Sequence, residues 1–108
     1  LRYNIAQENA MRKSLEEIRE ILRKHREELR LKYKIKEIAI FGSYVRGEER
    51  RRSDIDMLAE FEEPISLLEL VGAENHLSDI LKIKVDLVPK EDVRPELKDR
   101  ILKEVVYI

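Results

Sequence analysis

No cysteine occurs among the 108 residues, which excludes disulfides and thiolate chemistry and fits an intracellular protein. No apolar run approaches the length of about 18 residues that a membrane span requires. The first residues lack the apolar core and small-residue cleavage site of a signal peptide, so the expectation is a soluble, cytoplasmic chain with no membrane partner. Glycine and proline number only three each. With no internal repeat, low-complexity tract or obvious linker, nothing marks a second domain.

Excess charge of either sign is also missing. Charged residues make up 42% of the chain, but 22 Lys and Arg nearly cancel 23 Asp and Glu. Strong basicity would point to nucleic acid; this balance does not, and it argues mildly against an RNA partner. The Gly-x-x-x-x-Gly-Lys-Ser/Thr and Gly-x-Gly-x-x-Gly loops are absent, which disfavours P-loop hydrolysis and dinucleotide redox chemistry. A chain of this length buries one modest core. An enzyme cleft built on it has to borrow its second wall from a partner chain or a second copy.

What is present is a pattern of short apolar runs and one compact acidic motif. Met11, Leu15, Ile18, Leu22 and Leu29 recur at helical steps and predict one long helix from about Ile5 to Lys32. Glu37–Phe41 reads as a buried strand that stops at Gly42, and Ser43 to about Gly47 as a turn opening a short helix. Residues 48–52 are a charged loop. From Ser53 to Phe61 the pattern alternates, with Ile55, Met57, Ala59 and Phe61 opposite Asp54, Asp56, Leu58 and Glu60. Leu67–Leu81 returns to helical spacing. Ile83–Val88 is a third strand with Lys84, Asp86 and Val88 on one face, closed by Pro89. A last helix starts near Pro95 and is expected to bury Leu97, Ile101, Leu102 and Val105. The predicted order is α-β-α-β-α-β-α: an α/β (α+β) fold with a small mixed sheet flanked by helices. The whole chain, 1–108, reads as one domain, with a helical extension at 1–34 and a catalytic core at 35–108.

Asp54 and Asp56 lie two apart on a strand, so both point to one face at about 6–7 Å along the backbone. Two such carboxylates can converge on shared metal ions, and Mg²⁺ is usually held by one or two carboxylates plus substrate phosphates. Asp86 interrupts an otherwise apolar strand, where an unpaired charge is costly without a metal, a cation or solvent. If its strand neighbours that of Asp56, all three acids meet, and two metals about 3.5–4 Å apart could clamp an in-line displacement at phosphorus. Gly42 lets the backbone turn tightly and approach a ligand. Ser43 adds a hydroxyl for a phosphate oxygen, and Arg46 lies about one turn on, where a guanidinium could reach the same anion.

Gly42-Ser43, a ten-residue spacer and Asp54-Ile55-Asp56 resemble the signature of the DNA polymerase β-like nucleotidyltransferase superfamily. The phrases Phe41–Gly47, Ser53–Asp56, Lys84–Val88 and Arg94-Pro95-Glu96-Leu97 with Arg100–Glu104 resemble the minimal nucleotidyltransferases in particular. These are the MntA-type antitoxins of prokaryotic HEPN–MNT toxin–antitoxin modules. The resemblance covers most of the chain after Ile38. It implies a nucleotidyltransferase fold and transfer of AMP from ATP, with two Mg²⁺ ions, to a hydroxyl, in several modules a tyrosine of the HEPN ribonuclease toxin. It further implies Asp54, Asp56 and Asp86 as catalytic metal ligands, and Gly42 and Ser43 as phosphate binders. Arg46 matches an arginine often found in the minimal proteins.

Two other readings keep parts of this pattern. The chain could neutralise a toxin by complex formation alone, or transfer nucleotides to RNA or a small molecule; the missing acceptor domain argues against the small molecule. Elsewhere, His25 reads as a packed or boundary residue, His76 lacks partners at zinc spacing, and Arg50-Arg51-Arg52 reads as a solvated loop. Tyr44 fits packing at the turn at least as well as stacking on a base, and Tyr107 carries no usable signal.

Overall fold

The computed structural model describes residues 13–47 and 54–108. The predicted helix before residue 13, with Met11, and the charged loop with Arg50–Arg52 lie outside the described residues.

Ser14 opens the first described helix, α1 (Leu15–Lys24). Its hydroxyl accepts from the Glu17 N–H at 3.1 Å, and the Glu17 carboxylate accepts from the Ser14 N–H at 3.0 Å, a reciprocal capping box. The helix predicted to run unbroken to Lys32 is instead interrupted at His25, where a second helix, α2 (Arg26–Tyr33), begins. The imidazole Nδ1 lies 2.9 Å from the Ile21 carbonyl oxygen, so a side chain engages a carbonyl of the last turn of α1. His25 is half-buried, in keeping with a packed or boundary residue at the edge of the apolar stripe; that it also breaks the helix is not expected from the spacing. Across the break, Ile18, Leu22 and Leu29 all remain buried in one core.

A left-handed Lys34, φ 61°, ends α2 and turns the chain straight into β1 (Ile35–Phe41). A single turn, α3 (Ser43–Arg46), follows; then come β2 (Ile55–Phe61) and α4 (Leu67–Leu81), the latter with its own Ser66–Glu69 capping box. After β3 (Val85–Pro89) and a short 3-10 turn at Lys90–Asp92, Pro95 starts α5 (Pro95–Glu104). A two-residue strand, β4 (Val106–Tyr107), ends the described order.

The sheet order is β3-β2-β1-β4. β1 runs antiparallel to both β2 and β4, while β2 and β3 are parallel, with α4 as the crossover between them. The sheet is mixed, as expected. Ile55, Met57, Val85 and Leu87 join Ala73, Leu77 and Leu81 of α4 and the residues of α1 and α2 in a single apolar cluster. Full burial of one such Leu or Ile contributes about 1.5–3 kcal/mol. This is what holds β2 and β3 rigid beneath the acids on their other face. Among the described residues, no helix is long and apolar enough to cross a membrane.

Two expectations about the helices need correction. Leu67, placed on the apolar stripe of α4, is 75% exposed, because the helix meets the core only from Leu70 onward. The last helix does not bury its apolar side: Leu97 is exposed, and Ile101, Leu102 and Val105 are half-covered. Its first turns lie at the periphery, and its end is held by β4, which is too short to register as a strand in the sequence. Val106 and Tyr107 pair with Ile40 and Ala39, and the Ile108 N–H reaches the Ile38 carbonyl at 3.1 Å.

Candidate active site

The parallel register of β2 and β3 sets Asp56 directly beside Asp86. On the other side, Asp56 is paired with Phe41, the last residue of β1. Asp54 stands exposed at the entry to β2, and Asp86 is also exposed, while Asp56 is half-buried. Strand parity alone puts Asp54 and Asp56 on one face; the third acid arrives through β2–β3 pairing. Among the described residues, no group of three or more His, Cys, Asp and Glu side chains is brought together closely enough to hold a metal ion. The acids are neighbours in an open arrangement, which suits an ion bound by one or two carboxylates with substrate oxygens completing its shell.

Burial pushes the Asp56 carboxyl above its ordinary range, and the charges of Asp86 and Asp54 push it further the same way. Arg46 pulls it back down, and Glu104 opposes that pull. A half-buried carboxylate facing two others is an incomplete electrostatic arrangement. Carboxylate oxygens suit a hard divalent cation, which would favour the charged form of Asp56.

Gly42 is buried and adopts φ 81°, ψ −150°, a region essentially reserved for glycine. A Cβ at this position would lie 3.1 Å from Asp56 Cγ and 3.2 Å from its Cβ, and closer still to Oδ2. The glycine is therefore required twice, by the backbone turn and by the approach of Asp56. Ser43, the first residue of α3, is half-buried beside it. Tyr44 packs into the apolar cluster at 7% exposure, which favours the packing reading over base stacking.

Arg46, expected to reach toward an anion, is engaged by Glu104 of α5. Its Nη1 donates to the two carboxylate oxygens at 3.1 and 3.2 Å. The Gly42 N–H donates to the same carboxylate at 3.1 Å. Sequence reasoning assigned Glu104 no role. It lies 58 positions from Arg46, and only the pairing of β4 on β1 brings it there, so no local spacing could have revealed it. His76 sits away from the acids. Its Nε2 is 3.3 Å from Glu28 without hydrogen-bond geometry, and its ring is tilted against Tyr33 at 5.4 Å. That is a contact between helices, in keeping with the absence of a zinc pattern. A cavity of about 400 Å³ at the far ends of β2 and β3, lined in part by Glu60, Lys90 and Lys98, contains none of the candidate site residues.

The model of the nucleotidyltransferase domain family matches residues 22–108. The chain belongs to this family. Among relatives of this nucleotidyltransferase, the Methanocaldococcus jannaschii protein MJ0126, provisionally named a protein adenylyltransferase, is 56% identical over 97 residues, which is 89% of this chain and 99% of the relative. The protein adenylyltransferase MntA of Thermococcus cleftensis is 45% identical over 95 residues, 88% of this chain and 96% of that protein. A solved structure provisionally described as a minimal nucleotidyltransferase superposes with a TM-score of 0.66 at 34% identity, covering 81% of this chain and 92% of that one. A chain from the complex of a tri-AMPylated Shewanella oneidensis HEPN toxin with MNT antitoxin gives a TM-score of 0.62 at 21% identity, over 83% of this chain and 70% of its own. That last likeness speaks for the fold alone. The nucleotidyltransferase described here is of the minimal, MntA type, with the polymerase β-like fold.

Proposed function

We propose that this nucleotidyltransferase transfers AMP from ATP to a hydroxyl, a tyrosine, of a partner HEPN-type ribonuclease toxin, and so acts as its antitoxin. The observation that carries the chemistry is the register of Asp56 with Asp86 beside the Gly42 turn. The choice of a protein acceptor is supported by the relatives named as protein adenylyltransferases, MntA of Thermococcus cleftensis among them.

All six candidate residues lie within 35–108, the proposed catalytic core. Asp54, Asp56 and Asp86 would hold two Mg²⁺ ions, which when bound would neutralise triphosphate charge and stabilise the departing pyrophosphate. The Gly42 turn and the Ser43 hydroxyl hold the β- and γ-phosphates, and Arg46 supplies positive charge beside them. Asp86 accepts the proton of the attacking hydroxyl. The hydroxyl oxygen bonds to the α-phosphorus, the bond from that phosphorus to the bridging oxygen breaks, and pyrophosphate leaves. The partner supplies the acceptor hydroxyl.

The test is to incubate the chain and its co-purifying partner with Mg²⁺ and ATP and to weigh both proteins intact. One or more AMP units are expected on the partner, and none with Asp54→Asn/Asp56→Asn at equal complex assembly. An unmodified partner that is nevertheless neutralised by the double variant would turn the reading to a binding module. Consumed ATP with both proteins unmodified would turn it to an RNA or small-molecule acceptor.

A further inference from the structure

Glu104 is the last residue of α5, and its position is set by the strand that follows. Val106 pairs with Ile40 and Tyr107 with Ala39; continuing this antiparallel register brings Glu104 level with Gly42. Its carboxylate then accepts from two donors of quite different kinds. One is the backbone N–H of Gly42 at 3.1 Å. The other is Arg46 Nη1, at 3.1 Å to Oε1 and 3.2 Å to Oε2.

A fourth acid beside three others is electrostatically unfavourable unless it has a role there. Glu104 is only 21% exposed, against 38% for Arg46, so the pair is partly withdrawn from water, where a charge-assisted hydrogen bond is worth more than at an open surface. The Gly42 N–H belongs to a buried residue and needs an acceptor. Glu104 provides it without a backbone partner, at the one point where the chain leaves regular strand geometry. The carboxylate holds Nη1 at both of its oxygens and so keeps the guanidinium beside the Gly42 turn. One carboxylate therefore sets both the peptide that precedes Ser43 and the cation one turn beyond it.

We propose that Glu104 is a positioning residue for nucleotide binding: acting through the Gly42 peptide and the Arg46 guanidinium, it holds both in the arrangement that receives the triphosphate. This rests on the nucleotide reading of the site given above. Glu104 itself touches neither the substrate nor a metal. The C-terminal strand becomes part of the active site's support, since it delivers this carboxylate.

The test uses the full chain and Mg²⁺ with AMP-PNP, titrated calorimetrically into the wild type, Glu104→Gln and Glu104→Ala. The folded fraction is checked by thermal melting and the Gly42 amide is followed by NMR. Glu104→Ala is expected to weaken AMP-PNP binding about tenfold per folded molecule, the loss of roughly one charge-assisted contact. Glu104→Gln keeps an acceptor oxygen for Gly42 but not the charge for Arg46, and is expected to fall between the two. Should Glu104→Ala fail to fold, Glu104→Gln carries the test through its binding constant. Unchanged binding in the folded variants would reduce Glu104 to a structural strut and overturn the proposal. Tighter binding would overturn it in the other direction, as the sign of a carboxylate occupying the anion's own seat. If the wild type fails to bind AMP-PNP while the Gly42 amide still shifts upfield in the variants, the contact is real and the nucleotide reading is what has failed, and the positioning role falls with it.

Discussion

Asp56→Asn is expected to remove AMP transfer almost completely while raising the melting temperature. On the proposed mechanism, losing a carboxylate that would share a dication and the developing phosphoryl charge costs several kcal/mol of transition-state stabilisation, or a rate loss of about 10³-fold or more. The stability effect runs the other way. Burial and the charges of Asp86 and Asp54 raise the affinity of Asp56 for its proton above the ordinary value of 3.8. The folded state then holds that proton more tightly than the unfolded state. Stability is lost as pH climbs from the ordinary value through the raised one, and at neutral pH the ionised Asp56 is a net cost. Asparagine has nearly the same shape and no charge. At neutral pH the melting temperature of the variant is therefore expected to lie above that of the wild type. The gain should shrink as pH is lowered toward 4, and Mg²⁺ should stabilise the wild type more than the variant. Melting curves across pH with and without Mg²⁺, alongside intact masses of the partner, check all of this. A variant that melts lower at neutral pH would mean that Asp56 is satisfied in the apo fold and the acids are not a strained cluster.

Gly42→Ala is expected to damage both stability and activity, for two separable reasons. At φ 81°, ψ −150° an alanine is strained by about 1–3 kcal/mol. Its methyl group would also crowd the Asp56 carboxylate, with Cγ only 3.1 Å away, adding about 1–3 kcal/mol of overpacking. Together these amount to about 2–6 kcal/mol and lower the melting temperature by about 8 °C or more, and whatever remains folded is expected to have Asp56 displaced from Asp86. Gly47→Ala is the control. That glycine has φ 72°, yet nothing lies within 4 Å of its added Cβ, so only the left-handed backbone cost of about 1–2 kcal/mol applies. Thermal melts of both variants in parallel separate strain from crowding. Equal losses would show that the approach of Asp56 to Gly42 contributes nothing.

Much of this site is legible in the chain because it depends on strand parity and on glycine. Asp54 and Asp56 share a face because they lie two residues apart, and Gly42 ends a β-rich run where an ordinary residue would not fit. The bounds of α4 match the stretch read from its apolar spacing, although Leu67 is exposed and the Ser66–Glu69 capping box sets the start. What the sequence leaves open is pairing. That Asp86 stands beside Asp56, and not one strand away, is a property of the β3-β2-β1-β4 order, which no local pattern encodes. The break at His25 depends on one imidazole meeting a carbonyl, and helical periodicity runs through it unchanged. Glu104 is the clearest case. It closes a mostly exposed helix, and although Arg100–Glu104 belongs to a phrase that resembles the minimal nucleotidyltransferases, nothing in that phrase points to Gly42 or Arg46. Its significance comes from β4, a strand of two residues, too short to leave an alternation.

The most direct measurement follows the phosphates of ATP. The chain and its co-purified partner are incubated with Mg²⁺ and ATP labelled at either the α- or the γ-phosphate. Label from the α-phosphate is expected on the partner protein, with the γ-label released as pyrophosphate and the Asp54→Asn/Asp56→Asn variant inert. Label from the γ-phosphate on the partner, or from neither position on any acceptor, would contradict nucleotidyl transfer as the work of these three acids.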